Sequence, residues 1–307
     1  WQGWEKLLKF YSDISVECDA ICDDSLVKYD ADPFASCFIQ DSMKLGKTLK
    51  EGGCRYDVIS QSNIGPCVVG NALYAIKKLV FEEQSVTWEE LMTAMQDNWQ
   101  SLESARIHKK IRHVAKFGND DDAVDEIVKD VFDSYLKLLP QYRTQRYQQG
   151  PAVSCYTMST SITSYVPNGF VVGATPDGRF AGTPLNEGCS PTQGTDTSGP
   201  TAVINSVAKL PNEQVAAGQL LNMRFSSGAL AGEENLDKFV DFLMASAKKH
   251  IYHNQFNVID SATLRLAQEH PQDYTDLIVR VAGYCAQFVS LMPEAQEAII
   301  ARTENTW

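Results

Sequence analysis

The stretch that most restricts what this 307-residue chain can become is Ile278-Val279-Arg280-Val281-Ala282-Gly283-Tyr284-Cys285-Ala286, close to the C-terminus. β-Branched residues lead up to a glycine, an aromatic follows it, and the apolar run Phe288 to Met292 comes next. A glycine so placed supplies a turn or a positive φ that residues with a Cβ reach only under strain, or it is used for chemistry that requires no side chain.

The rest of the chain reads as helices with short strands between them. Residues 1 to about 28 carry Trp4, Leu7, Leu8, Tyr11, Ile14 and Ile21 at helical spacing, and a second helical stretch runs from Phe34 to Leu49, stopped by Glu51-Gly52-Gly53. Arg55 to Ser60 reads as a short strand, Val68 to Phe81 as a helix, and Thr87-Trp88-Glu89-Glu90 as a capping box opening a helix to about Trp99. A long helix is expected over Ala123 to Leu139 and a polar connection over Gln141 to Gly150. Ala152 to Val172 looks strand-like at both ends, Thr201 to Lys209 and Gln219 to Phe225 read as strands around a loop, and Asn254 to Ile259 is strand-like. Helices are expected over Glu233 to Lys249, over 262 to 269 behind a Ser261 cap, and from Pro293 to about Thr303.

Several sites can be set aside. The net charge of -12 and pI near 4.9 argue against a nucleic-acid surface, which needs clustered Lys and Arg. No apolar run approaches 18 residues, so no membrane span is expected, and Trp1-Gln2-Gly3-Trp4-Glu5 lacks a signal-peptide layout. The missing initiator Met leads us to expect a fragment or a processed chain. Eight scattered cysteines are too dilute for a disulfide scaffold; Cys18 and Cys22, at i and i+4, read as buried or half-buried thiols because no further ligand lies near them. The acidic run Asn119 to Asp125 lacks the calcium-loop register, and Asn119 or an Asp is expected to cap the following helix. His250 and His253 lack a third metal ligand in pattern. Gly173-Ala174-Thr175-Pro176-Asp177-Gly178-Arg179 is a turn without the Gly-Lys-Ser/Thr of a phosphate loop.

Taken together, Arg280-Val281-Ala282-Gly283-Tyr284, the ending Ile300-Ala301-Arg302-Thr303-Glu304, and the block from Gly173 through Pro184-Leu185-Asn186-Glu187-Gly188-Cys189 to Thr201 resemble the C-terminal part of the glycyl radical enzymes. Phe117-Gly118-Asn119-Asp120 is also similar to a stretch of that family. The resemblance spans nearly the whole chain. The implied fold is α/β: the C-terminal part of a ten-stranded barrel, with a soft boundary near residue 175 between barrel sequence (1–175) and a glycine radical domain (176–307).

The resemblance makes Gly283 the radical store, with Arg280 and Tyr284 holding its loop. A radical at a glycine α-carbon is planar and shared with both flanking amides, and a missing Cβ removes the steric cost of flattening and of close approach by partners. Such a radical needs burial. No bound cofactor or metal is implied. An S-adenosylmethionine-dependent iron-sulfur activating enzyme would install the radical, which would pass to a cysteine that abstracts hydrogen from the substrate. In the family that cysteine lies farther upstream than the 282 residues preceding Gly283, and outside the pyruvate-cleaving members a glutamate follows two places later. None of Cys18, Cys22, Cys37, Cys54, Cys67, Cys155, Cys189 or Cys285 has that glutamate, so the thiyl cysteine is expected outside this chain.

The motifs look most like the glycerol dehydratase, choline trimethylamine-lyase and hydroxyproline dehydratase branch. This implies a radical lyase acting on a small polyol-like or amine substrate, a homodimer at full length and, given reduced thiols and an oxygen-sensitive radical, a cytoplasmic location. Arylacetate decarboxylases, benzylsuccinate synthases and formate acetyltransferases are the alternatives. A non-catalytic spare-part protein that supplies a fresh glycine loop is another, although residues 1 to about 170 exceed what it needs.

Overall fold

The computed structural model describes residues 1–56, 60–62, 64–143, 156–158, 163–215 and 218–307, with backbone only for 60–62 and 156–158. Twelve α-helices and seven short strands alternate along these residues, so the class is α/β. Two compact units result, one of residues 1–61 and 133–157 and the other of 62–132 and 158–307.

In the first unit α1 (Gln2–Tyr29) is the expected long helix. Its Leu8 and Val16 pack on Tyr135 and Leu139, and Trp4 Nε1 donates to Ser134 Oγ at 3.0 Å. Cys18 and Cys22 face solvent, contrary to the buried or half-buried reading, because the packed stripe of α1 runs through Leu8, Ser12 and Val16 and they lie off it. The single helix expected over Phe34 to Leu49 is instead two short ones, α2 (Pro33–Ser36) and α3 (Ser42–Leu45), separated by Asp41 at φ +76°. Cys54 to Tyr56 are bends, and β1 (Ser60–Ser62) pairs with β2 (Tyr156–Met158); the rest of the strand expected at 55–60 and most of the 141–150 connection lie outside the described residues.

The second unit contains α4 (Pro66–Ile76), α5 (Trp88–Gln96), α6 (Leu102–His113) and α7 (Asp122–Leu138), the last running on into the first unit. The Thr87 capping box forms as expected: Glu90 N donates to Thr87 Oγ1 at 3.2 Å, and Thr87 N to Glu90 Oε2 at 2.7 Å. Asp121, rather than Asn119, accepts from the Ala123 amide at the start of α7. Asn119 instead accepts from the Thr197 and Ser198 amides and donates to Thr195 O, tying two distant loops together.

Two expected strands are helices. Gly169 and Phe170 end α8 (Tyr165–Phe170), with Val171 and Val172 just past it; a Cβ on Gly169 would lie 2.2 Å from the Thr183 carbonyl, so the glycine is needed because the backbone crosses there. Thr201 to Lys209 is α9 (Pro200–Ala208), with Pro200 in its first turn and Val203, Ile204 and Val207 buried at helical spacing.

A three-stranded parallel sheet organises this unit, in the order β4 (Asn254–Val258), β3 (Leu221–Phe225), β7 (Glu304–Asn305). Alternation gives it two unlike faces. Leu221, Met223, Phe225 and Phe256 enter the apolar core, where Phe225, Phe239, Phe242, Phe256 and Trp307 form an aromatic cluster over α10 (Glu233–Lys248). Asn222, Arg224, Gln255 and Asn257 occupy the alternate positions, in register as Asn222↔Gln255 and Arg224↔Asn257. Beyond the sheet come α11 (Ser261–Glu269), the hairpin β5 (Ile278–Arg280) and β6 (Cys285–Gln287), and α12 (Pro293–Ile300). Asp260 is the N-cap of α11, and the Ser261 hydroxyl donates to Glu304 rather than capping the helix.

Gly70 marks a tight crossing of α4 and α7, since a Cβ there would sit 2.4 Å from Val128 Cγ2 and 2.9 Å from Val128 Cα. Gly70→Ala is expected to lower stability by about 1–3 kcal/mol through overpacking, read as a lower denaturant midpoint at unchanged slope.

Candidate active site at the glycine hairpin

The β5–β6 hairpin pairs Ile278↔Gln287, Val279↔Ala286 and Arg280↔Cys285, leaving Val281 to Tyr284 as its tip. Across the tip the Val281 amide donates to Tyr284 O at 2.9 Å. Val281 and Ala282 are both 0% exposed, Val281 packing with Leu264, Phe288 and Ile299, and Ala282 with Val68, Tyr165 and Leu220. Two small buried side chains thus anchor the tip. Gly283 follows at φ +81°, exposed.

Burial is what the resemblance implies for a radical position, and the described residues leave Gly283 exposed. Packing does not demand glycine here either, because a Cβ would meet nothing within 4 Å. The positive φ is what restricts this position to glycine.

The polar face of the sheet holds the backbone of the tip. Asn257 matches Arg280 on both groups, accepting from its amide at 2.7 Å and donating to its carbonyl at 2.8 Å, as a strand neighbour would. Val281 O accepts from Arg302 Nη2 at 2.7 Å and Asn222 Nδ2 at 3.2 Å. Arg302 Nη1 reaches Arg280 O at 3.2 Å, and the Gly283 amide donates to Gln255 Oε1 at 3.2 Å.

Behind these amides lie two ion pairs, one fully buried and one half-buried at its carboxylate. Glu187, 1% exposed, meets Arg302 Nη2 at 2.9 Å and also accepts from Asn222 and Gln193. Arg224, 2% exposed, meets Glu304 at 2.9 Å and donates to Ser261 Oγ and to the Ile300 and Arg302 carbonyls. Asp196 accepts from Thr303 Oγ1 beside this network, and burial pushes its carboxyl up to about 6.

Of the residues singled out in the sequence, Arg280 and Tyr284 stand on either side of the tip. The Arg280 guanidinium donates to Cys285 Sγ at 3.2 Å, and the half-buried Tyr284 ring packs on the cluster around Val279 and Phe288. Cys67 and Cys189 are buried thiols; Cys189 donates to Leu220 O at 3.3 Å and burial pushes it up to about 12. Asn222, Gln255, Asn257, Glu187 and Arg302 as holders of the loop are additions from the structure. Their signal was amides at alternate positions of otherwise apolar strands, at Asn222, Gln255 and Asn257.

The Gly173–Arg179 block is a structural knot. Arg179 donates to the carbonyls of Val172, Gly173, Phe180 and Thr183, and Trp99 Nε1 closes on Arg179 O at 3.2 Å. A cleft of about 1110 Å³ lined by His108, Lys116, Asp177 and Arg179 lies beside it, and Gly283 is not among its walls. There the Lys116 ammonium, lowered to about 8 by burial, donates to Ile111 O and Val114 O at the end of α6. His250 is exposed and binds Glu213 at 2.7 Å. Among the described residues no group of three or more His, Cys, Asp or Glu could hold a metal, and no helix is long and apolar enough to cross a membrane.

The tip is thus a glycine at positive φ clamped by carboxamides, with ion pairs behind them. Family models supply the class: pyruvate formate lyase-like proteins match residues 1–169 and the glycine radical family matches residues 185–289, so the chain belongs to the glycyl radical enzymes. It is 40% identical to the probable dehydratase YbiW of Escherichia coli over 99% of this chain and 38% of that protein. With the indoleacetate decarboxylase of Tractidigestivibacter scatoligenes it shares 38% identity, over 88% of this chain and 33% of the other. A solved structure describing 1,2-propanediol dehydration in Roseburia inulinivorans superposes with a TM-score of 0.93 at 39% identity, covering 98% of this chain and 38% of that one. The chain therefore spans about a third to two-fifths of the length of these relatives.

Two outcomes follow. Arg302→Met leaves the Glu187 charge buried without its partner and is expected to lower stability by about 3–5 kcal/mol in denaturant titration. Asp196, whose folded pKa is raised, binds its proton more tightly folded than unfolded. Its contribution is therefore present in full below its unfolded value and lost as pH rises through about 6. Asp196→Asn is expected to reduce the stability lost between pH 5 and 7.5 by about 1 kcal/mol.

Proposed function

We propose that this chain is the radical-bearing portion of a glycyl radical lyase that eliminates water or another leaving group from a small polyol-like or amine substrate. The observation that carries this is the tip itself: Gly283 at φ +81° with its amide and the Arg280 and Val281 carbonyls held by side chains. The dehydratase relatives support the reaction class, and the boundary between barrel sequence and radical domain falls near residue 175.

In this reading an S-adenosylmethionine-dependent iron-sulfur activating enzyme removes one hydrogen atom from Gly283 Cα. The C–H bond breaks homolytically, the hydrogen atom leaves with the activating radical, and the unpaired electron stays on Cα. A cysteine outside this chain then gives its S–H hydrogen back to Cα, and the resulting thiyl takes a hydrogen atom from the substrate. Arg280 and Tyr284 keep the tip in place. The cover that Gly283 lacks comes from chain beyond these residues, in a cytoplasmic homodimer. The indoleacetate decarboxylase relative favours a second reading, radical decarboxylation of an arylacetate, which would use the same radical store.

The test is anaerobic activation of this chain joined to its native upstream sequence, followed by electron paramagnetic resonance. A doublet is expected, absent from Gly283→Ala, together with cleavage at residue 283 in air that releases a fragment of about residues 284–307. An activated protein that gives neither signal would remove the radical reading. Turnover of diols against arylacetates separates the two reaction classes.

A further inference from the structure

The side-chain hydrogen bonds to the tip backbone are unevenly placed. Among the described residues all six fall on the N-terminal side, on Arg280 N, Arg280 O (twice), Val281 O (twice) and Gly283 N. Tyr284 O is bonded within the tip by the Val281 amide.

Of the six, the bond to Gly283 N is the one that touches the reacting residue. Gln255 is 5% exposed, and its amide can present an oxygen to the Gly283 amide only if its nitrogen points the other way. That nitrogen meets His253 Nε2 at 3.1 Å. His253 Nε2 must then be the acceptor and the ring neutral, with its proton on Nδ1. Burial, first, and the nearby Arg280 charge both lower the His253 pKa, in the same direction.

Radical formation gives this bond a role. At φ +81° the Gly283 Cα–carbonyl bond stands out of the preceding peptide plane. A radical delocalised over both flanking amides needs their planes to be coplanar with Cα, so the residue must turn about N–Cα. That rotation leaves the N–H where it is. No atom lies within 4 Å of where a Cβ would be, so the Cα itself stands clear of its neighbours.

We infer that Gln255, oriented by His253, is a positioning residue for the radical: it holds the Gly283 amide as a fixed pivot while Cα flattens and the Tyr284 side of the tip adjusts. The accepted hydrogen bond also leaves the amide nitrogen richer in electrons, which supports its donation into the half-filled orbital. This rests on the radical reading of Gly283.

The experiment uses the full-length enzyme, with native upstream sequence, labelled with 15N-glycine and activated anaerobically. Gln255→Met removes the acceptor at similar volume. It is expected to lower the radical yield per chain by roughly five- to tenfold, the worth of one buried hydrogen bond, and to change the nitrogen hyperfine splitting. Gln255→Glu keeps an acceptor oxygen and is expected to recover yield to within about twofold of the parent, which a loss of packing alone would not do. Should Gln255→Met fail to fold, His253→Leu frees the amide without removing it, and a loss of about threefold is expected. A parent radical with unchanged yield and splitting in the folded variants overturns the role of Gln255 and leaves the radical reading intact. An activated parent without any radical overturns both.

Discussion

The glycine tip depends on a carboxylate that water does not reach. Glu187 uses one oxygen for Arg302 and Asn222 and the other for Gln193, and Arg302 spends its remaining reach on the Arg280 and Val281 carbonyls. Burying such a pair returns little stability, because the desolvation of both charges roughly offsets their attraction. It gives geometry instead: displacing either partner leaves a charge stranded, so only one arrangement of these segments is acceptable. Arg224 repeats the device with Glu304, and Asn305 Nδ2 donates to Arg224 O, stitching the C-terminal tail to β3. The loop around Glu187, the hairpin and the tail are therefore one polar assembly, although they are separated by about a hundred residues of sequence.

Charge stops one layer short of the glycine. The side chains that bond Gly283, and share Val281 and Arg280 with Arg302, are the carboxamides of Gln255, Asn222 and Asn257. Carboxamides donate and accept at once and do not change protonation at any working pH. Because β3 and β4 run parallel and in register, alternate residues put these amides on one face and Leu221, Met223, Phe225 and Phe256 on the other. One period of two thus builds both the core that gives the sheet rigidity and the clamp that uses it.

Local signals in the sequence were sufficient where the structure is local. The long α1, the capping box at Thr87, α10 and the turn at Asp177-Gly178 are each specified by neighbours in sequence. The errors have physical causes. Thr201 to Lys209 is rich in β-branched residues, but Pro200 and the spacing of Val203, Ile204 and Val207 follow helical period, and burial against the core decides for the helix. Gly169 lies in α8 because another backbone crosses there, a contact no local window contains. At the site, Gly283 was legible through its motif, while Asn222, Gln255, Asn257 and Glu187 were not, since their roles arise from register and from partners 23 to 115 positions away.

The open position of Gly283 has a consequence for how the chain divides its work. Val281 and Ala282 are fully buried, the carbonyl before Ala282 is bonded twice, and the glycine amide is bonded once, so the tip has its working geometry before anything covers it. Preorganisation of this kind spares any later partner the cost of ordering the loop. The described residues thus fix the backbone on either side of Ala282 while leaving Gly283 itself exposed, so the rigidity of the tip does not depend on burial of its glycine.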